Sequence, residues 1–186
     1  TNIYGINKPV SIIEYIENGS LKEIIRMKGK VDLWNETKRL IVIYGIASAM
    51  NYLHSNGILH RDLNAANVLL TKDFYPKISD LGLAKKINDS IIDKDNCYAG
   101  KDPYIAPEIY KKHNYSEASD VYAFAILVYE LVNYRFPFKN LKFPQISLII
   151  NSEKNNRPKF TSGVPRCYKE LIKSCWKNEN RPSFKE

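Results

Sequence analysis

Hydrophobic positions along the chain recur at helical spacing in two long segments. In residues 36–56, apolar side chains return every three or four positions and form one stripe, which predicts an amphipathic helix. Gly57 follows directly, where a left-handed glycine often ends a helix. Residues 116–132 open on a serine suited to an N-cap and are then apolar on nearly every side, so this helix is predicted to be buried. Shorter helices are predicted over 21–27 and 165–176.

Short apolar runs bounded by turn residues predict a few strands. Strands are predicted at 11–15, 68–70 and 76–78. The stretch 87–102 is polar and irregular, and a loop of that length in a compact domain usually has a function. Residues 137–144 are predicted to form a loop because prolines stand at both ends. Strands followed mainly by helices indicate an α+β fold.

Composition narrows the class of protein further. The 186 residues are 44% apolar and 26% charged, which is typical of a folded domain. The net charge is +8, but the lysines are scattered, so we expect a basic surface and no nucleic-acid partner. The most apolar run, 121–132, is too short to span a membrane. The cysteines at 97, 167 and 175 form no C-x-x-C pair, which favours reduced thiols and a cytoplasmic location.

One segment combines residue types that suit phosphate chemistry. Residues 60–67 read His-Arg-Asp-Leu-Asn-Ala-Ala-Asn, and Asp-Leu-Gly follows at 80–82. A lone aspartate is more often a turn residue or a helix cap, so the interpretation depends on the whole set. The carboxylate of Asp62 can accept a hydroxyl proton, while Asn67 and Asp80 offer the hard oxygen ligands that Mg²⁺ prefers. These three residues are the candidate catalytic residues, and the last two are the candidate metal ligands.

These motifs resemble those of the protein-kinase family. The catalytic loop of that family reads H-R-D-L-x-x-x-N and its metal motif reads D-F-G, which residues 60–67 and 80–82 match apart from Leu81. Ala-Pro-Glu at 106–108 matches the family's A-P-E motif. The resemblance implies a protein-kinase-like fold with a mainly helical C-lobe. It also implies ATP and Mg²⁺ as cofactors and proteins as substrates, with the three candidate residues in the roles given above.

The resemblance implies a nucleotide site as well. Backbone groups of Glu14 and Ile16 would face the adenine edge, because their segment resembles the hinge between the two lobes. Leu69 would form the apolar floor under the adenine. Asn67 and Asp80 would reach the phosphates through the metal ion. For the hinge segment and Leu69, ordinary strand packing is the alternative.

Other residues are implied as structural supports. Glu108 is expected to pair with Arg181, and Asp120 is expected to brace the backbone of the catalytic loop. His60 and Leu81 are expected to pack as members of a hydrophobic stack rather than to react.

The segment between Asp80 and Glu108 resembles the activation segment of the family. Arg61 would receive a phosphate group carried by Ser90 or Tyr98, added by an activating kinase. Such a contact would order the segment.

Positions 64 and 66 also depart from the family pattern. Serine/threonine kinases usually carry lysine where this chain has Asn64, and tyrosine kinases usually carry arginine where it has Ala66. Lys101 could reach toward Asp62 and supply the positive charge that Asn64 lacks. A Lys101 side chain that points into solvent is the equal alternative. Asn64 together with the segment 104–108 resembles the tyrosine-kinase-like group. We therefore expect a serine or threonine hydroxyl as acceptor and leave tyrosine open.

The resemblance implies a single partial kinase domain over 1–186. Residues 1–16 would be the end of the N-lobe and the hinge, and residues 17–186 the C-lobe, incomplete at its C-terminal end. No G-x-G-x-x-G-x-V loop and no V-A-I-K lysine occur in the sequence. A pseudokinase or truncated scaffold that acts as a binding module is therefore the main alternative. A small-molecule phosphotransferase is a weaker one, since such enzymes generally lack the motif at 106–108.

The sequence predicts that the 186-residue chain alone is a poor enzyme. We expect it to bind Mg·ATP weakly and to transfer phosphate negligibly, because the phosphate-covering loop and its lysine are not in the sequence. Calorimetric titration with Mg·ATP and a radiometric transfer assay measure both quantities. Clear turnover by the chain alone would contradict this expectation.

Overall fold

The computed structural model describes residues 12–30, 32–87, 103–112, 115–138, 141, 143–151 and 156–186. In chain order its elements are α1 (Leu21–Arg26), α2 (Glu36–Ser55), β1 (Ile58–Leu59), β2 (Val68–Leu70), β3 (Pro76–Ile78), a 3₁₀ turn (Leu81–Leu83), β4 (Lys85–Lys86), α3 (Pro107–Lys112), α4 (Glu117–Asn133), α5 (Phe143–Asn151) and α6 (Arg166–Cys175). Helices dominate and the strands are short, so the predicted α+β class is confirmed.

Helix α4 forms the centre of the core. Every side chain from Ser119 to Asn133 is buried, because the helix is apolar on nearly every side and packs against α6 and α2. Ser116 precedes the helix as its N-cap. The buried helix predicted from the apolar run is therefore confirmed within one residue of its predicted end.

Local sequence signals fix the ends of α2. The side chain of Asn35 accepts a hydrogen bond from the backbone N–H of Lys38 at 3.0 Å, which satisfies one of the free donors of the first turn. Gly57 lies just past the C-terminus with φ of +68°, a conformation that costs glycine little. The predicted helix and its glycine terminator are both confirmed.

Two small antiparallel sheets organise the middle of the chain. β1 pairs with β4, with Ile58 opposite Lys86, and β2 pairs with β3, with Val68 opposite Ile78. The connection from β1 to β2 is residues 60–67, and the connection from β3 to β4 contains Asp80. Because the strands on both sides of these connections are paired, the two connections must lie side by side.

Some predicted elements differ from the structure. Residues 12–15 form no strand, because a strand needs a paired neighbour and no described residue hydrogen-bonds to their backbone. The predicted loop at 137–144 overlaps the start of α5, which begins at Phe143. Pro144 lies in the first turn of this helix, where proline is tolerated. Most of 87–102 lies outside the described residues.

No helix among the described residues combines the length and apolar character needed to cross a membrane.

An ion pair joins distant parts of the chain, as expected. Arg181 donates to both carboxylate oxygens of Glu108, at 2.6 and 2.9 Å, and to the main-chain oxygen of Ala118 at 2.7 Å. The Arg181 side chain is 1% exposed and that of Glu108 is 27% exposed. The contact fixes the start of α3 against the C-terminal segment.

Removal of Glu108 should destabilise the domain strongly. In Glu108→Ala the buried guanidinium loses its carboxylate, and we expect a loss of about 3 kcal/mol in the free energy of unfolding, measured with urea. Glu170→Ala is the matched control, since it removes the exposed pair with Arg166 and should cost about 0.5 kcal/mol or less. Equal losses in the two variants would contradict the structural role of Glu108.

Candidate active site

The carboxylate of Asp120 fixes the backbone of the catalytic loop, residues 60–67. It accepts hydrogen bonds from the main-chain N–H groups of His60 at 2.9 Å and Arg61 at 3.0 Å. The ring of His54 lies 3.0 Å from the same carboxylate, which is 2% exposed. Arg61 adopts a left-handed backbone with φ of +69°, which costs energy in a non-glycine residue. The expected bracing by Asp120 is confirmed, and its two hydrogen bonds offset this strain.

Two amide side chains hold Asp62. Asn67 donates from Nδ2 to the main-chain oxygen of Asp62 and to its Oδ2, both at 2.9 Å. Asn64 donates to the same main-chain oxygen at 2.9 Å and to Oδ1 at 3.0 Å. All three residues are buried. The structure therefore brings two of the predicted catalytic residues, Asp62 and Asn67, into direct contact.

The backbone brings Asp80 next to this pair. Ser79 donates from its main-chain N–H and from its hydroxyl to the main-chain oxygen of Asn67, at 2.9 and 3.0 Å. Asp80 follows immediately in a left-handed conformation with φ of +63°. Its carboxylate is exposed and caps the 3₁₀ turn by accepting from the N–H of Gly82 at 3.4 Å. The carboxylate of Asp80 thus remains open to a further ligand.

The donor set fits a magnesium ion. Asn67 uses its N–H groups on Asp62, and among the described residues no donor reaches its side-chain oxygen. Together with the Asp80 carboxylate, this oxygen would offer a metal ion a pair of hard ligands. The described residues contain no cluster of three or more His, Cys, Asp or Glu for a metal ion. Mg²⁺ does not need such a cage, because it is commonly held by one or two side chains plus phosphate oxygens.

The predicted adenine-binding residues lie near one another. Leu69 is half-buried and stands opposite Lys77 in the β2–β3 pair. The ammonium group of Lys77 contacts the carboxylate of Glu14 at 2.6 and 2.7 Å, which ties the segment 12–16 to this sheet. Ile16 is half-buried, and its main-chain oxygen accepts from Gly19 at 3.4 Å.

A family model described as "Protein tyrosine and serine/threonine kinase" matches residues 2–186. The chain belongs to this kinase family.

Known kinases resemble the domain along its length. It is 35% identical to two proteins of Dictyostelium discoideum, each named "Probable LIM domain-containing serine/threonine-protein kinase", over all of this chain. It is 36% identical to mitogen-activated protein kinase kinase kinase 13 of Homo sapiens over 94% of this chain. The chain spans 19% and 29% of the length of the two Dictyostelium proteins and 18% of the human protein.

Other expected contacts of the kinase domain have different outcomes. His60 is fully buried, as expected, and its Nδ1 accepts from the N–H of Asp62 at 3.2 Å. Leu81 is 52% exposed, because the described residues cover its side chain only in part. The expectation that Leu81 packs in a hydrophobic stack is therefore wrong for the part of the chain that the structure describes. Arg61 stacks on Tyr115, with its guanidinium carbon 4.3 Å from the ring centre. The expectations for Ser90, Tyr98 and Lys101 lie outside the described residues.

A buried carboxylate below the loop was not predicted. Glu130 in α4 accepts a hydrogen bond from the hydroxyl of Tyr104 at 2.6 Å, and that hydroxyl lies 3.4 Å from the main-chain nitrogen of Ala65 in the catalytic loop. Burial raises the pKa of Glu130 to about 7, while Tyr104 and the charge of Lys22 act in the opposite direction. Burial likewise raises the pKa of Tyr104 well above its usual value. A carboxylate within an apolar helix was the signal available in the sequence.

Stability should fall with rising pH because of Glu130. Its folded-state pKa lies above the unfolded value of 4.5, so its favourable contribution is complete below 4.5 and is lost as pH rises through about 7. Between pH 4.5 and 8 we expect the free energy of unfolding of Glu130→Gln to rise by about 3 kcal/mol relative to that of the wild type, measured with urea.

A difference in the free energy of unfolding between the two proteins that stays constant with pH would contradict the burial of an ionisable carboxylate at this position. Glu117→Gln, which removes an exposed carboxylate from the same helix, controls for the change in net charge.

Proposed function

We propose that the protein containing this chain transfers the γ-phosphoryl group of ATP to a hydroxyl group of protein substrates. The observation that carries the proposal is the direct contact of Asp62 with Asn67. Asp80 supports the proposal further, because it directly follows Ser79, which donates a hydrogen bond to the main-chain oxygen of Asn67. Phosphoryl transfer depends mostly on positioning and on charge neutralisation, and this arrangement offers a group for each task.

Asp62 is the residue that acts on the substrate hydroxyl. Each oxygen of its carboxylate receives an amide N–H, which sets the direction of the carboxylate. The substrate hydroxyl donates to one of these oxygens and is thereby oriented toward the γ-phosphorus. As the hydroxyl oxygen forms its bond to phosphorus, the bond from phosphorus to the β-phosphate oxygen breaks and the hydroxyl proton passes to Asp62.

Asn67 and Asp80 are the proposed magnesium ligands. Bound Mg²⁺ would neutralise the charge of the phosphate oxygens. Asn67 contributes a neutral oxygen through its side-chain carbonyl, and Asp80 contributes a carboxylate. The hydrogen bonds from Asn67 to Asp62 orient the Asn67 amide, so that its oxygen points away from Asp62.

The proposed adenine site uses the backbone groups of Glu14 and Ile16 together with the side chain of Leu69. The contact between Lys77 and Glu14 supports this assignment, because it holds the segment 12–16 beside the strand that carries Leu69. We further assign residues 1–16 to the end of the N-lobe and the hinge, and residues 17–186 to the C-lobe.

Serine and threonine are the proposed acceptors. The Dictyostelium relatives are described as serine/threonine-protein kinases, and the chain is similar to them over its full length. Arg61 is the proposed receiver of an activating phosphate from another kinase. The two cysteines that the structure describes, Cys167 and Cys175, are free thiols, which supports a cytoplasmic location.

A binding module without catalysis is the second candidate function. The specific observation in its favour is Asn64, which stands where a lysine is usual and is 2% exposed. The intact set of Asp62, Asn67 and Asp80 favours the enzyme, since docking alone requires none of these groups. Transfer activity decides between the two functions.

Asp62→Asn should abolish most of the transfer. The variant keeps the shape of the side chain but loses the proton acceptor, so we expect kcat to fall about 10²- to 10⁴-fold. The assay measures phosphate incorporation into a serine-, a threonine- and a tyrosine-containing peptide by the complete gene product that contains these residues.

Asp73→Asn is the matched control for Asp62→Asn. It makes the same chemical change in the exposed turn between β2 and β3 and should keep kcat within about twofold. A wild-type protein that transfers no more phosphate than Asp62→Asn would favour the binding module.

A further inference from the structure

Asn64 is fully used by contacts within the catalytic loop. It is 2% exposed, and its Nδ2 donates to the main-chain oxygen of Asp62 at 2.9 Å and to Oδ1 of Asp62 at 3.0 Å. Its own side-chain oxygen accepts from the main-chain N–H of Ala66 at 3.0 Å. Asn64 therefore combines two separable contributions, an acceptor that shapes the turn and a donor that reaches the Asp62 carboxylate.

The donor completes a symmetric arrangement around Asp62. Oδ1 receives its N–H from Asn64, and Oδ2 receives one from Asn67 at 2.9 Å. The terminal torsion of an aspartate is soft, so each donor on the carboxylate narrows the range over which it can rotate. A donor on each oxygen restricts that rotation and fixes the direction of the remaining lone pairs.

We propose that Asn64 is a positioning residue for phosphoryl transfer, which orients the Asp62 carboxylate toward the substrate hydroxyl. The inference rests on the proposed function. Asn64 does this with a neutral amide, so it restricts the carboxylate without reducing its negative charge. Its effect belongs to the chemical step, because a misdirected acceptor lowers the rate from the bound state while the substrates still bind.

Asn64→Asp separates the two contributions of the side chain. The carboxylate that replaces the amide still accepts from the N–H of Ala66, so the turn is retained, but it cannot donate to Asp62. A residue that only shapes the turn would tolerate this change. A positioning residue would not, because the donor is lost and a second negative charge faces Asp62.

The test measures kcat, the KM for ATP, the KM for peptide and the affinity for Mg·ADP in the complete gene product. For Asn64→Asp we expect kcat to fall about tenfold or more, with both KM values and the Mg·ADP affinity within about twofold of wild type. Asn56→Asp makes the same chemical change at the exposed end of α2 and should leave all four quantities near wild type.

Asn64→Ala guards against misfolding of the charged variant. It removes both the donor and the acceptor for Ala66 without adding charge, and kcat should again fall while the Mg·ADP affinity stays close to wild type. Wild-type kcat in Asn64→Asp, or in Asn64→Ala if the charged variant does not fold, would overturn the inference while the enzyme assignment stands. A wild-type protein no more active than Asp62→Asn would overturn the proposed function, and this inference with it.

Discussion

The shape of the catalytic loop depends on one buried carboxylate. Asp120 stands in the first turn of α4 and accepts from two consecutive main-chain N–H groups, those of His60 and Arg61. Those groups would otherwise be buried donors without partners, because the loop conformation prevents them from pairing within a helix or sheet. The core helix therefore determines where the loop begins, and the amides of Asn64 and Asn67 determine where Asp62 points within it.

Rigidity passes from the core to the site through short connections. The loop is bounded by β1 and β2, and the segment with Asp80 is bounded by β3 and β4, so the two sheets hold both connections at their ends. The hydrogen bonds from Ser79 to the main chain of Asn67 then join the two connections where they meet β2 and β3. A site on loops gains the precision of regular structure when the loops are this short and joined at several points.

The sequence predicted the features that depend on local pattern or on motif spacing. The periodic helices, the pair of strands around the turn at 72–73 and the expected contacts of Asp120 and Arg181 are all present. The two-residue strands β1 and β4 were not predictable, because two residues carry no periodicity and their pairing joins positions far apart in sequence. The apolar run at 12–15 was misassigned for a related reason, since strand formation depends on a partner outside the run.

Side-chain detail was the other limit of the sequence. Tyr104 and Glu130 are 26 residues apart and meet only because α4 is buried beneath the catalytic loop. The two donors on Asp62 depend on the rotamers of Asn64 and Asn67, which residue spacing does not specify. Spacing can identify which residues take part in a site, whereas the hydrogen bonds that orient them follow from the packed fold.

The ion pair of Glu108 with Arg181 has a consequence for the order of assembly. The two residues are 73 positions apart, so Glu108 leaves the ribosome well before its partner has been synthesised. Until then the start of α3, which carries Glu108, has no anchor in the C-terminal segment, because the two residues can meet only after that segment has been synthesised. A nascent chain that already contains the whole catalytic loop would therefore still lack the clamp that secures its neighbouring segment.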